Sequence, residues 1–373
     1  MKGRICALLA LFLLLPGCGG GASEPMRVQA GGAALIDMAS GRLLFGQDED
    51  RMLPMASTTK VMTALLALEA CALDEVVVAS ERASGVPGTS IYLGVGEELT
   101  MEQMLYGLLL RSGNDAAVAI AEHVAGDAET FAGMMNVRAV RLGVDAHFEN
   151  PHGLDADGHA ASALALARIY REAMRSEDFR RITGTAEAVI PWAGNDFQRV
   201  LTNKNRLLST YSGATGGKTG YTSRAGRCLV FSAQRDGLEL AGAVLSCPDW
   251  FGEAGRLLDY GFANYRLEAP LAEGQTACRT AVWDGMEQTV EAVAAQGLSA
   301  AVGAGESWRV EYDFGAGVHA PVAQGEVIGT ARLYIEDEEV AQAPLVAARA
   351  VERRTLLRAL LHALGFWSPW DGA

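Results

Sequence analysis

Four of the 31 basic residues in this 373-residue chain are lysines: Lys2, Lys60, Lys204 and Lys218. The rest are arginines. The distinction matters because a guanidinium keeps its proton in a protein, whereas burial or a neighbouring cation can strip one from an ammonium. Two of the lysines stand in short motifs, Ser57-Thr58-Thr59-Lys60 and Lys218-Thr219-Gly220. A spacing of three brings the Ser57 hydroxyl and the Lys60 amine to one face of a helical turn. A neutral amine there can take the hydroxyl proton and turn the serine into a nucleophile. An SxxK match alone arises by chance in chains of this length; KTG is rarer. A third polar group, Ser112-Gly113-Asn114, lies between the two.

These residues need elements to hold them. Ala33 to Asp37 and Arg42 to Phe45 read as two strands around a Ser40-Gly41 turn. Ser57 sits at or just inside the start of a helix reaching Ala70, which is apolar nearly all round and so belongs in the middle of a domain. Met101 to Leu110, Asp115 to Val124, Thr130 to Leu142 and Ser162 to Ser176 read as further helices, with Ser112-Gly113-Asn114 in a helix–helix turn. KTG stands at the start of a strand, after the glycine-rich lead-in 213–217. Gly226 to Ala233 and Leu238 to Leu245 form a hairpin through Arg235-Asp236-Gly237. Strands at both ends with helices between them predict an α+β domain, an antiparallel sheet with a helical cluster, over 27–265. Short alternating runs from Arg266 predict a small all-β domain over 266–351.

Both termini differ from the body. Lys2 and Arg4 precede an apolar run from Ile5 to Leu15 and small residues up to Ala22, the pattern of a secretory signal peptide over 1–22. The run is too short for a membrane span. Leu15-Pro16-Gly17-Cys18 resembles a lipoprotein cleavage box with Cys18 lipidated; cleavage near Ala22 is the alternative. The mature chain is therefore expected outside the cytoplasm. In the tail, 352–373, leucines 356, 357, 360, 361 and 364 share a helical face opposite Arg354, Arg358 and His362, and Phe366, Trp367 and Trp370 come after them. That arrangement suits an amphipathic helix lying in a membrane interface. A net charge of −14 without a basic stripe argues against nucleic acid as a partner. Cys71, Cys228, Cys247 and Cys278 show no CxxC spacing and read as free thiols, although Cys228 and Cys247 flank the hairpin. His147, His152 and His159, near Asp155 and Asp157, fit no metal-ligand spacing, and no metal or cofactor is expected.

The order SxxK, SxN, KTG is the set shared by penicillin-binding proteins and class A β-lactamases. Within that group the chain resembles the low-molecular-weight D-alanyl-D-alanine carboxypeptidases. The resemblance extends to the 150–159 loop, to Lys218-Thr219-Gly220-Tyr221-Thr222, and to the segments 317–322 and 343–347 of the β-rich part. It implies a β-lactamase/transpeptidase-like catalytic domain and an enzyme that removes the terminal D-alanine from peptidoglycan stem peptides, with β-lactams as inhibitors. It also implies attachment to the outer face of the bacterial cytoplasmic membrane. In that scheme Ser57 is the nucleophile, Lys60 accepts its proton, and Lys218 keeps Lys60 neutral by repulsion. Ser112 relays a proton to the leaving nitrogen. Asn114 holds Lys60 and the substrate amide, Thr219 binds the terminal carboxylate, and the N–H groups of Ser57 and Tyr221 form the oxyanion hole; Gly220 completes the substrate-binding set. Trp250 stands where relatives often carry a further basic residue for the carboxylate, which leaves Lys204 or Arg206 to supply it. A β-lactamase shares the motifs but needs a base for deacylation, and the segment around Glu187 does not resemble the class A loop. A non-catalytic wall-binding lipoprotein would have no need of the complete set.

Overall fold

The computed structural model describes residues 26–356. The expected leader with Cys18, and the tail helix beyond Leu356, lie outside the described residues. Among those described, no helix is long and apolar enough to cross a membrane.

A five-stranded antiparallel sheet organises the first part. Its order is Leu43–Gln47, Gly32–Asp37, Leu238–Leu245, Gly226–Arg235, Ala214–Thr222. Both faces are covered, so Gly32–Asp37 is buried at every position, which explains its run of apolar residues without alternation. Alternate side chains nevertheless part company. Ala34, Ile36, Cys228 and Val230 enter the helical core on one face. Ala33, Leu35, Leu229 and Phe231 pack on the other, beneath the helix Trp250–Asn264. Asp236 and Gly237 take positive φ (50° and 84°), as a two-residue hairpin turn that keeps the right-handed twist requires. Cys228 and Cys247 contribute to opposite cores and stay free, as do Cys71 and Cys278.

The helix Lys60–Ala70 runs through the larger core and is buried from Lys60 to Ala67. The helical reading of 101–110 is half right. Thr100 and Gln103 form a capping box and start an α-helix over Met101–Tyr106, which then widens into a π-helical turn over Gly107–Arg111. Such a turn inserts a residue and re-aims the chain beyond it. KTG does not stand at the start of its strand, as its lead-in suggests; the strand begins at Ala214 and absorbs the glycine-rich stretch. Its ladder with the neighbouring strand runs from Ala214 opposite Ala233 to Thr222 opposite Gly226, and that pairing outweighs the poor strand preference of glycine.

The helix Trp250–Asn264 leads directly into Tyr265–Leu271, which pairs with Leu298–Gly303. A six-stranded sheet comes next, around a separate core containing Leu271, Val302, Leu333 and Leu345. Polar contacts tie this part to the first sheet. Arg42 grips Glu306 with two hydrogen bonds of 2.7 and 2.6 Å and donates to the Ala301 carbonyl. The Ala301 N–H in turn donates to Asp37 Oδ2 at 3.0 Å. Arg42→Ala should leave Glu306 without its cation and lower stability by about 1–3 kcal/mol. The check is urea unfolding followed by circular dichroism, with the activity per folded molecule unchanged.

Candidate active site

The chain approaches Ser57 through Ala56, which is held at φ 48°, and then makes a 3-10 turn over Ala56–Thr59 that runs into the helix Lys60–Ala70. The hydroxyls of Thr58 and Thr59 bond back to the carbonyls of Met55 (2.7 Å) and Ala56 (2.8 Å). Ser57 makes no such local bond; its Oγ lies 3.0 Å from Lys60 Nζ and 3.4 Å from the His152 carbonyl oxygen. Two glycines let other segments close on this turn. A Cβ at Gly153, at φ 87°, would stand 2.0 Å from the Ala56 carbonyl oxygen. One at Gly220 would come within 2.9 Å of the Ser57 nitrogen and 3.0 Å of the Met55 oxygen. The KTG strand is the sheet's outermost, and at Gly220 its helical-core face, which Cys228 shares from the next strand, lies against the backbone of Ser57.

Lys60 is fully buried. Its Nζ bonds Asn114 Oδ1 at 2.7 Å and the His152 carbonyl oxygen at 2.5 Å, as well as Ser57 Oγ. Asn114 opens the helix Asn114–Ala125 and donates through Nδ2 to the Pro87 carbonyl at 2.7 Å. The neighbouring Asp115, also buried, accepts from Ser90 Oγ and from the N–H groups of Ile91 and Leu93, which pins the 87–93 loop to the same helix start. Ser112 closes the π-helical turn in the left-handed region (φ 67°). Lys218 Nζ reaches its Oγ at 2.9 Å and the Thr219 carbonyl at 2.6 Å. Ser57, Lys60 and Asn114 thus form one hydrogen-bonded set and Ser112 and Lys218 another, near enough that the charge of Lys60 acts on Lys218. Thr219, Gly220 and Tyr221 line the adjoining strand edge, Tyr221 being exposed and Thr219 buried.

Burial is the leading cause that holds the Lys60 ammonium well below its ordinary value, and the positive charge of Lys204 adds to it, with Asp115 opposing. Lys218 is lowered in the same way, first by burial, then by Lys60 and Lys204. Lys60 and Lys218 therefore repel each other as expected, Lys204 adds to the repulsion on both, and all of it is secondary to loss of water. His152, pushed down to about 3 by burial and then by Lys60, stays neutral across the physiological range. His159, lowered by burial to about 4, bonds Thr59 Oγ1 and the Glu149 N–H. His147 pairs with Glu149. These three histidines are engaged separately. Among the described residues the donor atoms of Cys71, Glu75 and His123 do lie within 4.8 Å of one another, but Cys71 stands just past the end of the helix that Lys60 begins, about 16 Å away. The His152 and Pro87 carbonyls, Asp115 and the influence of Lys204 carry no motif signal; only folding shows them.

Loss of the Lys204 charge should let Lys60 hold its proton to higher pH. In Lys204→Ala the rising limb of the acylation rate against pH, followed with a fluorescent penicillin, should move upward, while in the parent protein it lies well below the ordinary lysine value of 10.5.

Comparison with known proteins matches this geometry to its relatives. Residues 20–249 match the family described as D-alanyl-D-alanine carboxypeptidase, and 265–353 match the C-terminal domain of penicillin-binding protein 5. The chain is 32% identical over 354 residues to D-alanyl-D-alanine carboxypeptidase DacF of Bacillus subtilis, covering 92% of this chain and 91% of the relative. It is 30% identical over 351 residues to D-alanyl-D-alanine carboxypeptidase DacC of Escherichia coli, covering 88% and 86%. Among solved structures, penicillin binding protein 5 of Haemophilus influenzae superposes with a TM-score of 0.74 at 27% identity, over 89% of this chain and all of that one. These matches favour the carboxypeptidase over the β-lactamase alternative, and the chain belongs to the D-alanyl-D-alanine carboxypeptidase family of penicillin-binding serine hydrolases.

Proposed function

We propose that Ser57 is the nucleophile of a D-Ala-D-Ala carboxypeptidase and that Lys60 is its base. The observation that carries this reading is the set of partners around Lys60 Nζ. A neutral amine has two N–H donors and one lone pair. Asn114 Oδ1 and the His152 carbonyl can only accept, so they take the two donors. The lone pair is then left for Ser57 Oγ, 3.0 Å away. The hydroxyl proton passes to Lys60 as Oγ attacks the carbonyl carbon of the penultimate D-alanine. The N–H groups of Ser57 and Tyr221 stabilise the oxyanion, an arrangement supported by the close approach of Gly220 to the Ser57 turn. Ser112, hydrogen-bonded to Lys218, delivers a proton to the leaving nitrogen, and the proton taken up by Lys60 makes good the one that Ser112 gives. The C–N bond breaks, D-alanine departs, and an ester remains on Ser57 until water hydrolyses it. Asn114 and the Thr219–Tyr221 edge position the stem peptide, and Thr219 meets its carboxylate. A β-lactam takes the same path as far as the ester, but its amine stays tethered.

The proposal extends to organisation and place. The basic-then-apolar start supports a leader over 1–22 and work outside the cytoplasm. We divide the mature chain into a catalytic unit over 27–265, a β unit over 266–351 and a tail over 352–373. Leucines opposite basic residues, with tryptophans beyond them, support a tail lying on the outer face of the cytoplasmic membrane, close to peptidoglycan.

The test is incubation of the purified protein with a fluorescent penicillin beside Ser57→Ala, with intact mass measured over time. A stable adduct on the parent protein and none on the variant is expected, together with D-alanine release from a D-Ala-D-Ala peptide falling by about 10³-fold or more in Ser57→Ala. Rapid release of penicilloate, or labelling that survives the substitution, would overturn it.

A further inference from the structure

A substrate ending in a free carboxylate needs a cation beside Thr219, and the lysines of the cluster are poor candidates. Lys218 is buried, held below its ordinary pKa by that burial, and engaged with Ser112 and the Thr219 carbonyl. Lys204 is half-buried and acts electrostatically on Lys60 and Lys218. Arg206 stacks over the Phe251 ring at 5.9 Å, and Arg224 pairs with Asp157 at 3.3 Å.

Arg227 is differently placed. Cross-strand register sets Tyr221 opposite Arg227 and Thr219 opposite Leu229. Opposed residues share a sheet face, and so do residues two apart on one strand. Thr219 and Arg227 are therefore diagonal neighbours on the face that Leu229 marks, about 7–8 Å apart at Cα and within reach of an arginine side chain. The guanidinium is already steered: Nη1 donates to the Pro248 carbonyl at 2.7 Å, and the group lies 5.8 Å from the Trp250 ring centroid. Its charge is not compensated. Among the described residues no carboxylate forms an ion pair with it, and Arg227 remains exposed. An exposed guanidinium held by one carbonyl, without an ion pair among the described residues and on the same face as Thr219, can offer its remaining N–H groups to a carboxylate.

We infer that Arg227 is the residue that binds the substrate's terminal carboxylate, acting with Thr219 from the neighbouring strand and supplying the charge that Trp250 lacks. The inference rests on the carboxypeptidase reading and assigns its specificity for a free chain end.

The experiment compares kcat/KM of the full-length protein for diacetyl-L-Lys-D-Ala-D-Ala and for the same peptide as its C-terminal methyl ester. The parent protein should prefer the free acid. Arg227→Leu should lower kcat/KM for the acid by about 30-fold or more and change the ester by less than about 3-fold, so that the preference collapses. Arg227→Lys should keep part of the preference, and Arg206→Ala all of it. Equal losses for acid and ester would mark Arg227 as a structural residue, and no loss for either would place the carboxylate elsewhere; both overturn the inference while the carboxypeptidase reading stands. A parent protein that cleaves neither peptide and forms no penicillin adduct would remove that reading, and this inference with it.

Discussion

An amine removed from water governs this molecule. A lysine buried without a carboxylate partner gives up its proton readily, because the charged form has lost its hydration and gained nothing equal in return. Lys60 meets that condition: among the described residues its Nζ bonds a hydroxyl, a carbonyl and a side-chain amide oxygen. Much of the catalytic part can be understood as the means of keeping that environment dry and unpaired. The helix that Lys60 begins is buried for most of its length, and the Asn114 helix, the 150–159 loop and the edge strand close around its start. A carboxylate placed in the same spot would fix the ammonium and remove the base proposed for Ser57.

The fold shields this arrangement by using backbone groups where side chains would bring charge. Carbonyls of His152 and Pro87 orient Lys60 and Asn114, and the buried Asp115 directs its charge at hydroxyl and amide donors of the 87–93 loop. Glycine takes part for steric reasons at two points of this turn, Gly153 and Gly220, where any side chain would strike the backbone around Ser57. The positive φ at Ala56 and Ser112 puts left-handed backbone next to Ser57 and at the end of the π-helical turn, the kind of local strain that tends to gather at reactive sites.

The sequence discloses the parts whose signal is local. The Leu238–Leu245 strand and the helices around Asn114 and 130–142 can be read from apolar patterning, and the α+β architecture with a β-rich second part from their order. The cluster Ser57, Lys60, Ser112, Asn114 and Lys218 is nameable from motif order because each short motif carries its own chemistry. Three things are not legible there. The π-helical turn at Gly107–Arg111 depends on how the helix packs, and glycine-rich 214–217 looks like a loop until a neighbouring strand pairs with it. Lys204, a further cation that acts on both Lys60 and Lys218, is far away in sequence and stands in no motif, so motif order points to Lys218 alone.

The outermost position of the KTG strand is both a liability and a means of binding. An unpaired strand edge invites any extended chain, including another copy of the protein, to add itself to the sheet. Here the Ser57 turn packs on the face of that strand at Gly220, opposite Cys228 on the helical-core side, and not across the edge. An extended peptide end that adds itself along the edge is therefore laid beside the Ser57 turn. The edge that would accept a second copy of the protein is thus also the one that can bring a peptide end alongside the Ser57 hydroxyl.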